Sequence, residues 1–166
     1  GLHCLSGTLE ISGTDANTFT GGVLAQNPVL LLNKSAGVTA FGGPLRVGGG
    51  DASQKEVRWL QDYQRVGADV TLFSDGLVNL NNHRDEFGPV TFNAGTVATG
   101  ASGELGVYGL LTVNPSSSPA FITGRLGLPP GLHEFLVSDG AAFPDLQIDA
   151  LVLGTGHLRK TGPGQL

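Results

Sequence analysis

The chain has one cysteine, Cys4, and no methionine in 166 residues. A lone cysteine excludes an internal disulfide and a cysteine-built zinc site. Charged residues make up only 14% of the sequence, against about 25% in an average domain. That scarcity argues against a long charged helix or a coiled coil. The net charge is −5, and the nine Lys and Arg residues stand singly apart from Arg159-Lys160. Nucleic acid needs clustered cations, so it is not an expected partner. No apolar run approaches the roughly 18 residues of a membrane-crossing helix, and no signal peptide is visible. Aromatic residues are 7% of the chain, few for a sandwich core. With no methionine and Gly1 at its start, the chain is expected to be a segment of a longer polypeptide.

What the sequence has in abundance is glycine, 27 residues, about 16% where roughly 7% is usual. Hydrophobic residues at 40% still leave enough apolar side chain for a core, which a disordered chain lacks. Short apolar runs recur, each ended by Gly, Asn, Asp or Pro. They include Thr8–Ser12, Val29–Asn33, Val57–Leu60, Val70–Phe73, Val90–Phe92, Ala120–Thr123 and Glu134–Val137. Most are too short for helices. Several alternate strictly, as in Leu9-Glu10-Ile11, Val78-Asn79-Leu80 and Ile148-Asp149-Ala150, the period of a strand with one buried face. Ala52–Val66 also carries apolar residues at helical spacing; with glycines on both sides it admits one short element, and a strand is the preferred reading. Only Asp75-Gly76 and Asp139-Gly140 carry a hairpin signal. No linker divides the chain. The expected fold is therefore all-β, a single domain over 1–166: a single-stranded parallel β-helix in which coils of roughly 20–25 residues stack aliphatics rung on rung, about seven in all.

Four segments resemble one family. Gly154-Thr-Gly-His-Leu-Arg-Lys-Thr-Gly-Pro-Gly-Gln-Leu166 is similar to the GSGGLTKTGAGTL signature of the autotransporter-associated β-strand repeat. Ser12-Gly-Thr-Asp-Ala-Asn-Thr-Phe-Thr-Gly-Gly22 resembles its LSGANTYTGG step. Gly76-Leu-Val-Asn-Leu-Asn-Asn82 resembles its GxLDLNG step. Gly124-Arg-Leu-Gly-Leu128, His133–Gly140 and Pro144–Ile148 resemble GNLSLGG, RTFNVADG and PDLDI. The segments stand in the family's order and cover nearly the whole chain. Two departures are an inserted Thr14-Asp15 and the lack of Lys-Thr-Gly in Leu2–Gly7. The resemblance implies a right-handed helix and one repeat unit of a longer tandem array. The parent would be a bacterial secreted or cell-surface protein, a stalk or adhesin, with neighbouring repeats or copies of itself as head-to-tail partners. The family brings no catalytic residues, cofactor or metal site with it.

The residues themselves offer little chemistry. His83-Arg84-Asp85-Glu86 is the densest polar cluster, expected to be a solvated loop. The histidines His3, His83, His133 and His157 lie far apart in sequence, and neither Ser6-Gly7 nor Ser138-Asp139-Gly140 has a nucleophile-elbow context. Carboxylate pairs for glycan hydrolysis or lysis would come from Asp69 and Asp75, Asp85 and Glu86, or Asp145 and Asp149. The last pair shares a strand face at roughly 13 Å, wider than the roughly 5–9.5 Å of glycosidases. Gly48-Gly49-Gly50 lacks the Lys-Ser/Thr of a phosphate loop. Asn79, Asn81, Asn82 and Asn93 are expected as turn residues or stacked ladders, and Cys4 as a small buried hydrophobe. Surface glycans are a further partner class, with Trp59 or Tyr63 as the rings that would stack on sugar. The expected function is a structural or adhesive module without enzymatic activity. A carbohydrate-binding or polysaccharide-degrading β-helix is the alternative.

Overall fold

The computed structural model describes residues 1–26 and 28–166. Among them are sixteen strands and no helix, and every strand pairing is parallel. The strands stack in three columns, so the chain is a parallel β-solenoid of about seven coils. The first column holds β1 (Leu2–Cys4), β3 (Val23–Ala25), β5 (Leu45–Val47), β7 (Ala68–Phe73), the second half of β9 (Arg84–Asn93), β12 (Leu111–Val113), β14 (Leu132–Val137) and β16 (His157–Thr161). The second holds β2 (Thr8–Gly13), β4 (Val29–Lys34), β6 (Lys55–Trp59), β8 (Gly76–Asn79), β10 (Gly95–Ala98) and the first halves of β13 (Ala120–Leu128) and β15 (Leu146–Gly154). The third is built later in the chain, from the first half of β9, β11 (Glu104–Val107) and the second halves of β13 and β15.

The register shows the coil length directly. Leu2, Val23, Leu45, Val70, Val90, Leu111, Phe135 and Lys160 lie one above another. Successive members are 21, 22, 25, 20, 21, 24 and 25 residues apart in sequence, the range expected. The second column stacks Leu9, Leu30, Val57, Val78, Val97, Ile122 and Ile148. Its members from Leu30 to Ile122 are fully buried. Alternation is the cause: each inward Val, Leu or Ile lands on its counterpart one coil away, while its neighbours face solvent. Each such side chain contributes about 1.5–3 kcal/mol when fully buried.

The stretch that competes for helix forms β6, a strand. Its continuation loops out, and Gln64, fully buried, takes the place of a missing rung. Its Oε1 accepts from the Lys34 amide at 2.7 Å and its Nε2 donates to the Lys34 carbonyl at 3.1 Å. Asp75-Gly76 and Asp139-Gly140 turn the chain between parallel strands and make no hairpin. Asp75 instead accepts hydrogen bonds from the amides of Gly49 and Gly50 on the previous coil.

Candidate functional site

The structure separates the predicted polar candidates. The expectation of a solvated loop over His83–Glu86 fails at its centre. Asp85 opens the third column in β9, points inward in register with Leu105 and Leu126, and is 1% exposed. Its carboxylate accepts from Trp59 Nε1 at 2.6 Å, the Arg65 amide at 2.8 Å and the Glu86 amide at 2.8 Å. Trp59 is therefore no sugar platform; it is fully buried and packs its ring 5.8 Å from that of Phe87. His83 stays at the surface, where Nδ1 meets Asp62 Oδ1 at 3.1 Å. Asp62 also accepts the Arg84 amide, and that bond holds its carboxyl below the ordinary aspartate range.

Each of the other acid pairs is split between a buried and an exposed member: Asp75 and Asp145 are buried, Asp69 and Asp149 exposed. Asp145 is buried and accepts from the amides of Gly140 and Gln165, while Asp149 is exposed and bonded by Gln147. Asn93 and Asn114 form a rung-to-rung amide contact at 2.9 Å, and Asn79 donates to Glu56. Asn81 and Asn82 adopt left-handed φ angles of 49° and 69°, as turn asparagines do. Cys4 is buried at the first rung, where burial pushes its thiol up. Among the described residues no group of three or more His, Cys, Asp and Glu side chains is placed to hold a metal.

Burial also raises the Asp85 carboxyl above the ordinary 3.8, outweighing its N–H donors. The folded state thus holds this proton more tightly than the unfolded chain. The stability this group contributes is complete below pH 3.8 and is lost as pH rises through the folded-state value. Urea titrations across the acidic range should show wild-type stability falling relative to Asp85→Asn as pH increases. An opposite slope would mean that the N–H donors outweigh desolvation.

Two features among the described residues stand out as surfaces that can meet another molecule. The first is a groove of about 270 Å³ on the outer side of the third column. Its floor is set by register: Glu86, Gly106 and Gly127 occupy one outward row. Tyr108 and Tyr63 line it, 57% and 36% exposed. Partial burial and the nearby Glu86 carboxylate push the Tyr108 phenol up. Sequence reading singled out Tyr63 but missed Tyr108, Glu104 and the two glycines, because glycine in a strand reads as a break.

The second is the pair of end rungs. β15 is nine residues long and is paired on one side only, with β13. Inward positions that are buried on the coil before are open here: Val152, stacked on Leu126, is 46% exposed, and Leu158, stacked on His133, is 36% exposed. At the other end Leu2, Leu9 and Ile11 of β1 and β2 are half-buried against the core. Beyond β16 the chain has already begun the next turn, since Asp145 N and Leu146 N both donate to the Gln165 carbonyl. Lys160 holds the inward position of β16, with Nζ donating to the Gly162 carbonyl at 2.7 Å. An inward charge blunts an edge, so the first column is less open than β15. No family model, curated protein or solved structure matches the chain.

Proposed function

We propose that this chain is a structural or adhesive segment of a longer tandem β-solenoid, carried by a secreted or surface-attached bacterial protein. In this reading its coils are joined end to end with further coils of the same kind. The observation that carries it is the bare edge of β15 beyond Leu146: strand paired on one side only, with apolar inward side chains open above it. A solenoid coil presents unpaired backbone groups at its end, and natural arrays cover that end with a further coil or a cap. The motifs resembling the autotransporter-associated repeat support the same reading and carry the assignment to the bacterial surface. The contact is head-to-tail, so it propagates and does not close as a two-fold dimer.

Sedimentation velocity of the chain over a concentration series should show growing assemblies. Leu158→Lys at one end and Leu9→Asp at the other should each reduce them. A single monomeric boundary at every concentration would sink the reading. The module acts without catalysis in this view, because Asp75, Asp85 and Asp145 are engaged by backbone amides. Incubation with polysaccharide panels should release neither reducing ends nor unsaturated products. Turnover abolished by substituting Glu86 and Glu104 together would reverse that conclusion.

A further inference from the structure

We propose that the groove on the third face binds a linear, uncharged polysaccharide segment, with sugar rings lying on Tyr108 and Tyr63 and sugar hydroxyls donating to Glu104 and Glu86. The proposal is independent of how the coils join at their ends. It starts from two aromatic rings placed in solvent where the rest of the large aromatic set is mostly buried. Tyr63 is held there at φ 54°, in the left-handed region, with its amide donating to the Arg84 carbonyl at 2.7 Å. A bulky aromatic residue rarely adopts that conformation, and such strain concentrates at ligand-binding positions.

The floor of the groove fits a flat ligand. A Cβ at Gly106 would lie 3.2 Å from the Tyr108 ring, and one at Gly127 would lie 2.7 Å from Glu104 Oε1. Two bare positions in one row therefore let the Tyr108 ring and the Glu104 side chain lie low across the sheet. Pro129 and Pro130 also line the groove. The row runs from coil to coil at a spacing of about 4.8 Å, close to the advance of one pyranose ring along a linear glycan. An extended chain of sugars can thus advance about one ring per coil along this row.

The polar groups select the ligand. The Glu104 carboxylate has no hydrogen-bond or ion-pair partner among the described residues, so its oxygens are open acceptors. Two carboxylates against the single Arg84 repel uronate polymers. Tyrosine faces beside acceptors suit the apolar ring faces and hydroxyl edges of a neutral sugar. A basic peptide would use the same carboxylates but lacks the flat ring faces that stack on the tyrosines.

The test is calorimetric titration of the chain with cellohexaose, mannohexaose and xylohexaose, with polygalacturonate and hexalysine as charged probes. At least one neutral hexasaccharide should bind. Tyr108→Ala should weaken it about tenfold or more, and Glu104→Gln by a smaller factor, with thermal melting unchanged at these surface positions. Should Tyr108→Ala fail to fold, Tyr108→Leu keeps aliphatic bulk without the ring and should show the same loss. The proposal is overturned if none of the neutral probes binds, if binding survives loss of the Tyr108 ring, or if polygalacturonate or hexalysine binds in their place.

Discussion

Replacing Trp59 with alanine should lower the unfolding free energy by about 3–5 kcal/mol. Trp59 is the largest fully buried side chain and fills the interior between the second and third columns. The loss has two parts. One is the cavity and the lost contact with Phe87. The other is electrostatic, because Asp85 loses its 2.6 Å indole donor while remaining 1% exposed. A carboxylate deprived of a donor in such a place costs about 1–3 kcal/mol or more. Trp59→Phe keeps most of the ring and removes that donor, so it should cost the second part and a small cavity. In a double-mutant cycle with Asp85→Ala, the two substitutions should be strongly non-additive, since they act on one hydrogen bond. Urea denaturation monitored by circular dichroism measures the wild type, each single variant and the double variant. A loss below about 1 kcal/mol for Trp59→Ala would show that the interior is looser than a close-packed core.

A comparable effect is expected at Gly95, for a backbone reason. Gly95 opens β10 at φ +89°, and a Cβ there would lie 2.4 Å from the Phe73 carbonyl oxygen. No flexible group can yield, because the obstacle is main chain of the coil below. Alanine at this position combines left-handed strain of about 1–3 kcal/mol with overpacking of about 1–3 kcal/mol. Gly67 supplies the control: its φ is +72°, but nothing lies within 4 Å of the place a Cβ would take. Gly67→Ala should therefore cost only about 1–2 kcal/mol. Equal losses at the two positions would show that φ alone, and not the approach of the neighbouring coil, dictates glycine at Gly95.

The first two columns were legible in the sequence because their strands alternate cleanly. Leu9-Glu10-Ile11, Val78-Asn79-Leu80 and Val90-Thr91-Phe92 each place apolar residues inward, and all three pair as parallel rungs. The third column was not legible. Arg84-Asp85-Glu86-Phe87 puts a carboxylate at an inward position, which breaks the pattern and makes a strand look like a polar loop. Only the tertiary partners, the Trp59 indole and two backbone amides, make that burial tolerable. Glu104-Leu105-Gly106-Val107 and Arg125-Leu126-Gly127-Leu128 hide their strands behind outward glycines. The groove stands on this column, so Glu104, Gly106, Tyr108 and Gly127 escaped notice together, while Tyr63 and the Arg84–Glu86 cluster were singled out without their shared setting. Trp59 illustrates the opposite error: a lone tryptophan beside charged residues reads as a surface ring, while the fold turns it to the core.

The most direct measurement is hydrogen exchange of backbone amides at low and at high protein concentration. If further coils dock on the end rungs, amides of β15 that face away from β13 should exchange rapidly when dilute. They should become protected when concentrated, together with amides of β1 and β2 at the opposite end, while the middle coils stay unchanged. Exchange at β15 that is equally fast at both concentrations, or protection that appears on the lateral faces and not at the ends, would contradict end-to-end stacking.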